Sequence, residues 1–161
     1  MSLFKIFVSA LCLAFWAGAV SAQSTTCTGS NTNLSMGIYP SFNATAVDSS
    51  VSLVVMCTRR GGPQNISVTA GIGASANSGS ITTRQLKLNT GTDLLAYNLY
   101  RDASRLSVWG NTVGVDTMTQ SVSIPNNSSR PVTFTIFGRI ASLQDVRAGD
   151  YGDRVVVTVT F

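Results

Sequence analysis

The chain has 161 residues, of which 44% are hydrophobic and only 11% charged, and its formal net charge at pH 7 is +4. It contains no histidine, so a Ser-His-Asp triad and histidine-ligated zinc are excluded. Its basic residues are scattered singly apart from Arg59–Arg60, which argues against a nucleic-acid surface.

The start of the chain is predicted to be a secretory signal peptide, residues 1–22. After a short basic start, Ile6–Val20 is apolar, and small residues end the segment before Gln23. The apolar run is shorter than the ~20 residues that a membrane-spanning helix needs, so a membrane anchor is the less favoured interpretation. We therefore expect an exported protein with no stable membrane insertion and one mature domain, residues 23–161.

Loss of that segment removes Cys12 and leaves Cys27 and Cys57. In an oxidising compartment such an isolated pair is predicted to form a disulfide, with two free thiols as the alternative. Two cysteines are too few for a structural metal site, and no metal or cofactor is predicted.

Alternating apolar stretches separated by turns run through the rest of the chain. Val51–Cys57 is nearly continuously apolar, which favours burial on both faces, whereas Gln23–Asn33 and Gly71–Ser80 are predicted to be irregular. Short strands at roughly ten-residue spacing, with no amphipathic helical window, predict an all-β, immunoglobulin-like sandwich. The predicted strands are Leu34–Tyr39, Val51–Cys57, Asn65–Ala70, Gln85–Leu88, Leu94–Tyr100, Met118–Ile124, Val132–Ile140 and Val155–Phe161.

The final strand has the clearest alternation and one wholly apolar face. An uncovered strand of this composition would be an aggregation hazard. Either the chain itself or a partner must therefore cover it. The residues of the apolar face are Val155, Val157, Val159 and Phe161.

Three aspartates, Asp145, Asp150 and Asp153, lie just before this strand. Their spacing does not match an EF-hand, so a calcium loop is less favoured than a hydrogen-bonded turn. Tyr151 is a candidate corner tyrosine that ties this turn to the sandwich.

No arrangement of acids and bases in the sequence predicts a catalytic site. Among the aromatic residues, Tyr100 and Trp109 are the candidates for exposed side chains that bind a ligand such as a sugar. Aromatic residues at alternating strand positions belong more often to the core.

Several motifs, in the right order along the mature chain, resemble the spore coat protein U domain family. They are Cys27, Met36–Tyr39, Val55–Thr58, Leu95–Asp102, Trp109–Gly110, Phe137–Ile140, Gln144–Val146, Ala148–Asp153 and Val155–Phe161.

The resemblance implies a pilus subunit of the archaic chaperone–usher pathway, passing through the periplasm to the cell surface. Such subunits are incomplete immunoglobulin-like sandwiches whose groove is filled first by a periplasmic chaperone and then by a strand from a neighbouring subunit. By analogy, the strand ending at Phe161 forms one wall of that groove, and the chaperone grips the carboxylate of Phe161. The implied partners are the chaperone, the outer-membrane usher and neighbouring pilin subunits.

One departure from the family pattern concerns strand donation. Only Gln23–Thr26 precedes Cys27, a segment too short and polar to fill a groove. The resemblance then implies a subunit that accepts a strand without donating one, as at a fibre tip, with a role in adhesion or biofilm. Loops Gly71–Arg84 and Ala103–Thr117 would do the binding. The alternatives are a self-sufficient spore-coat or surface-coat protein and a secreted carbohydrate-binding module.

Overall fold

The computed structural model of the protein describes residues 22–36, 39–40 and 44–161. The predicted signal peptide lies outside these residues except for Ala22, and the predicted strand Leu34–Tyr39 falls partly outside them. Within the described ranges all regular structure is β, and no helix there is long and apolar enough to cross a membrane. The strands are β1 (Ser24–Gly29), β2 (Val47–Arg60), β3 (Gln64–Ile72), β4 (Arg84–Leu88), β5 (Leu94–Tyr100), β6 (Met118–Ile124), β7 (Ser129–Ile140), β8 (Tyr151–Gly152) and β9 (Val157–Thr160).

The strands form two antiparallel sheets that pack around one apolar core. The larger sheet has the order β1-β2-β7-β5-β4-β8, and the smaller has the order β6-β3-β9. Core residues come from both sheets, including Leu53, Val55, Val68, Ile72 and Phe134. This arrangement confirms the predicted all-β, immunoglobulin-like sandwich.

The alternation of apolar and polar residues predicted most strands at their observed positions. The predicted strands Leu94–Tyr100 and Met118–Ile124 coincide with β5 and β6. Burial of Val51–Cys57 on both faces was a wrong prediction: Val55 is buried, but Met56 is 41% exposed. The outward face of this part of β2 points to solvent, so the strand is covered on one side.

Two segments predicted to be irregular are more ordered than their composition suggested. Within Gln23–Asn33, β1 pairs with β2 from Ser24↔Arg60 to Gly29↔Val55. Within Gly71–Ser80, the buried Ser75 hydroxyl donates to the Gln85 carbonyl, and β3 extends to Ile72. Pairing partners distant in sequence create both structures, so local composition did not reveal them.

The predicted disulfide between Cys27 and Cys57 is confirmed, with an S–S distance of 2.04 Å. The two residues are direct register partners in the β1–β2 pair, with Cα atoms 4.0 Å apart. The bond therefore fixes the first strand of the sandwich to the second.

Replacing both cysteines with serine should lower the free energy of unfolding by roughly 3–4 kcal/mol, because the bond closes a loop with a sequence separation of 30. Urea denaturation of the oxidised wild type and the double variant measures this difference. Equal midpoints would show that backbone pairing with β2 is sufficient to hold β1 in the sheet without the disulfide.

Candidate functional site

The last strand is an edge strand with one unpaired side. Among the described strands β9 pairs only with β3, and the Gly73 N–H donates to the Val156 carbonyl at 2.8 Å. In antiparallel pairing, successive residues turn their backbone groups alternately toward and away from the partner strand. Residues 156, 158 and 160 therefore face β3, and residues 155, 157 and 159 turn their N–H and C=O groups to the open side.

A groove of about 1200 Å³ runs beside this open edge. Its floor is the inner face of the larger sheet and is apolar. The floor residues include Leu53, Leu86, Leu95, Leu99, Ile136 and Ile140.

The opposite wall is the end of β1 at Gly29 and the segment that follows it, residues 30–36. This segment runs along β2 outside any strand. The Ser30 N–H donates to the Val54 carbonyl at 3.0 Å, and the Ser49 hydroxyl donates to the Ser35 carbonyl at 2.6 Å. The groove thus lies between two chain segments that are each paired on their outer side.

Three of the four residues predicted for the groove lie in it. Val155, Val157 and Val159 line the groove and are half-buried, and Val156 also borders it but is 70% exposed. Phe161, at the chain end, lies outside the groove lining and is 55% exposed. The role of these residues in binding a partner stays a prediction.

The Asp153 carboxylate holds the backbone that precedes β9 in place. Its carboxylate accepts hydrogen bonds from the Tyr97 hydroxyl at 2.7 Å and from the backbone N–H groups of Arg154 and Ala76 at 2.7 and 3.1 Å. Burial, and then the bond to Asp153, raise the pKa of Tyr97. The Tyr151 hydroxyl donates to the Arg147 carbonyl at 2.7 Å within the same loop, and Tyr151 joins this loop to the sandwich through its pairing with Leu88 of β4.

Arg84 is a buried cation that sequence reasoning missed. It is fully buried on β4 and donates to the side chain of Asn98 at 2.6 Å and to the carbonyls of Ile72, Gly73 and Trp109 at 2.8–2.9 Å. Desolvation lowers the pKa of its guanidinium. Arg84 thereby joins the larger sheet to the end of β3, where the last strand begins its pairing.

Trp109 is not a surface residue. It is fully buried, its indole N–H donates to the Ala70 carbonyl at 2.9 Å, and its ring meets Phe134 edge-on at 6.1 Å. The expectation that Trp109 is exposed was wrong, since the segment that carries it bonds to Leu99 in one sheet and Ile72 in the other. A buried indole offers no face to a sugar. Tyr100 is half-buried.

Two adjoining loops expose apolar side chains. Leu106 is 83% exposed, and Val113 and Val115 are each 69% exposed. The loops are joined because the Arg101 guanidinium donates to the carbonyls of Val115 and Thr117 at 3.3 and 3.2 Å. These residues lie within the predicted loop Ala103–Thr117.

The loop that carries Leu106 is held by an ionised carboxylate. Hydrogen bonds from the Leu106 N–H, the Ser104 hydroxyl and the Ser107 N–H lower the pKa of Asp102 to about 2. Because the folded value lies below the unfolded value of about 3.9, this stabilisation is complete above that value and is lost as the pH falls toward 2.

We predict that the protection of the Leu106 and Ser107 amides against exchange, relative to the intrinsic rate at each pH, falls over this range in the wild type. An Asp102→Asn control should exchange rapidly throughout, and a wild-type loop that is insensitive to acid would contradict the assignment.

Within the described ranges, no group of three or more cysteine or aspartate side chains is placed to hold a metal ion.

The fold and groove define a class: an immunoglobulin-like β-sandwich with an open cleft beside its last strand. A sequence model of the Spore Coat Protein U domain matches residues 14–158. The chain belongs to this family, which confirms the resemblance read from its motifs.

The chain is also similar to one curated protein and to a chain in one solved complex. It is 33% identical over 113 residues to Protein U of Myxococcus xanthus, covering 68% of this chain and 58% of that protein. It also resembles a chain in the CsuC–CsuE chaperone–tip adhesion subunit pre-assembly complex from the archaic chaperone–usher Csu pili of Acinetobacter baumannii. That match has a TM-score of 0.51 and 18% identity, and it covers 87% of this chain and 40% of the other. The chain thus spans less than two thirds of either relative, and the structural likeness concerns the fold.

Proposed function

We propose that this protein is an exported subunit of a surface pilus assembled by a chaperone–usher pathway, and that its groove receives a β-strand from a partner. The observation that carries the proposal is the open edge of the last strand beside a groove of about 1200 Å³ with an apolar floor. Membership of the Spore Coat Protein U domain family and likeness to a chain in a chaperone–tip adhesion subunit complex support it. We assign the protein no enzymatic activity.

Backbone geometry defines what the groove would accept. The N–H and C=O groups at residues 155, 157 and 159 pair with no other strand of the described residues, and they form a template for an added strand. Because side chains alternate along a strand, every second residue of the incoming segment would face the apolar floor. The occupant is therefore an extended segment with alternating apolar residues.

The same proposal implies the order in which the partners would bind. After cleavage before Gln23, a periplasmic chaperone would fill the groove and contact the exposed Phe161. The outer-membrane usher would then exchange the chaperone for a strand of a neighbouring pilin subunit. Because Ser24–Thr26 pair with β2 of their own sheet, they would not be free to fill a neighbour's groove, and this subunit would accept a strand without donating one, as at a fibre tip.

The decisive experiment supplies the missing strand in the same chain. The exported protein is compared with a version that carries an alternating apolar strand after Phe161 on a flexible linker. We expect a large rise in the unfolding midpoint and conversion of oligomers to monomer. A control strand with serine at the alternating apolar positions should give no rise. An unchanged midpoint in a protein that is already a stable monomer would favour a self-sufficient coat protein.

An adhesive role at the tip is supported by the exposed apolar residues of the two adjoining loops. Leu106, Val113 and Val115 are presented on loops pinned by Asp102 and Arg101, and exposed apolar patches commonly mark interaction sites.

Replacing Leu106, Val113 and Val115 with serine should strongly reduce attachment of assembled pili to an apolar surface such as polystyrene without reducing pilus assembly. Leu143, which is 67% exposed on another loop, provides a matched control as Leu143→Ser. Equal losses in the two variants would contradict a localised adhesive site.

A further inference from the structure

The turn between β2 and β3 holds the side chain of Gln23. The Arg59 guanidinium donates to the Gln23 side-chain carbonyl Oε1 at 2.6 Å. Arg59 is only 8% exposed and also donates to the Gly62 carbonyl at 2.9 Å and to the Thr25 hydroxyl at 3.2 Å. The guanidinium is therefore fixed by its own neighbours as well as by Gln23.

The contacts of Gln23 use particular atoms of its side chain. A Cβ atom on Gly61 would lie 2.7 Å from Gln23 Cγ, so this turn leaves room for the glutamine chain. Among the hydrogen bonds of the described residues, Gln23 Oε1 accepts one, and its amide nitrogen Nε2 donates none.

We propose that Gln23 is a modification site: it becomes the N-terminal residue on export and cyclises to pyroglutamate. The inference rests on the proposed leader cleavage between Ala22 and Gln23. In the reaction the free α-amine attacks Cδ, a new N–Cδ bond forms, and the Cδ–Nε2 bond breaks. One proton passes from the α-amine to Nε2, which leaves as ammonia, so no further reactant is needed.

The site suits this reaction in two ways. The Arg59 N–H that meets Oε1 would stabilise the negative charge that develops on this oxygen as the amine attacks. Finally, the ring retains Cγ and the carbonyl oxygen, the atoms held by the turn, and loses only Nε2.

The modification is tested on protein exported from the full-length chain. We expect an intact mass that corresponds to residues 23–161 minus one ammonia, and an N-terminus that resists stepwise Edman degradation. A chain that begins with an unmodified Gln23 would overturn the cyclisation and leave the pilus proposal standing. A chain that begins elsewhere would overturn the proposed cleavage as well.

The contribution of Arg59 is tested without changing Arg59, whose loss could unfold the turn. A site-specific protease releases the Gln23 terminus from a fusion, and ammonia loss is followed in the native protein and in urea. We expect cyclisation to be several-fold faster in the native protein. An equal or slower native rate would show that Arg59 does not promote the reaction. Gln23→Ala, which has no side-chain amide, should lose no ammonia in either state.

Discussion

Replacement of Arg84 with methionine is expected to lower the free energy of unfolding by roughly 3–5 kcal/mol, because several buried acceptors lose their donor and each unsatisfied group costs about 1–3 kcal/mol. The Asn98 side chain and the carbonyls of Ile72, Gly73 and Trp109 would each lose a buried donor. Methionine has a similar length and an apolar chain, so the change tests hydrogen bonding more than volume.

Urea denaturation followed by near-ultraviolet circular dichroism measures this loss, because Trp109 lies within the network. Arg154→Met is the matched control: Arg154 is exposed, and its replacement should change stability by less than about 0.5 kcal/mol. A loss below about 1 kcal/mol in Arg84→Met would mean that the carbonyls find other donors and that Arg84 does not hold the two sheets together.

The sequence predicted those parts of the fold that depend on local alternation. The period-two patterns of Leu94–Tyr100 and Met118–Ile124 gave correct strand bounds because each strand has one core face and one solvent face. The same periodicity assigned Val155, Val157 and Val159 to one face of the last strand, and the structure places all three along the groove.

Features that arise from contacts between distant segments were missed. The residues next to Arg84 in the sequence do not distinguish it from an exposed arginine at the start of a strand. Only the fold brings the Ile72 and Trp109 carbonyls to its guanidinium. Trp109 was a candidate for an exposed side chain, yet its segment crosses between the sheets and buries it. The groove wall at residues 30–36 depends likewise on hydrogen bonds to β2.

The backbone of the last strand provides a sharper test of the groove than its side chains do. Val157 turns its N–H to the open side, whereas the neighbouring Thr158 turns its N–H to β3. A proline at either position removes the backbone N–H of that residue. Proline also favours an extended residue before it, which the strand already provides. The two substitutions therefore remove donors from opposite edges of one strand.

Val157→Pro should remove most of the rise in unfolding midpoint produced by the fused apolar strand, and in the unfused protein it should lose only the packing of Val157 against the core. Thr158→Pro should destabilise the unfused protein more strongly, by roughly a further 1–3 kcal/mol, because it removes a hydrogen bond between β9 and β3. Thermal unfolding of the four proteins, each variant with and without the fused strand, separates the two effects. If Val157→Pro retained the full rise, the added strand would be acting away from the open edge of β9, and the groove would not be the acceptor site.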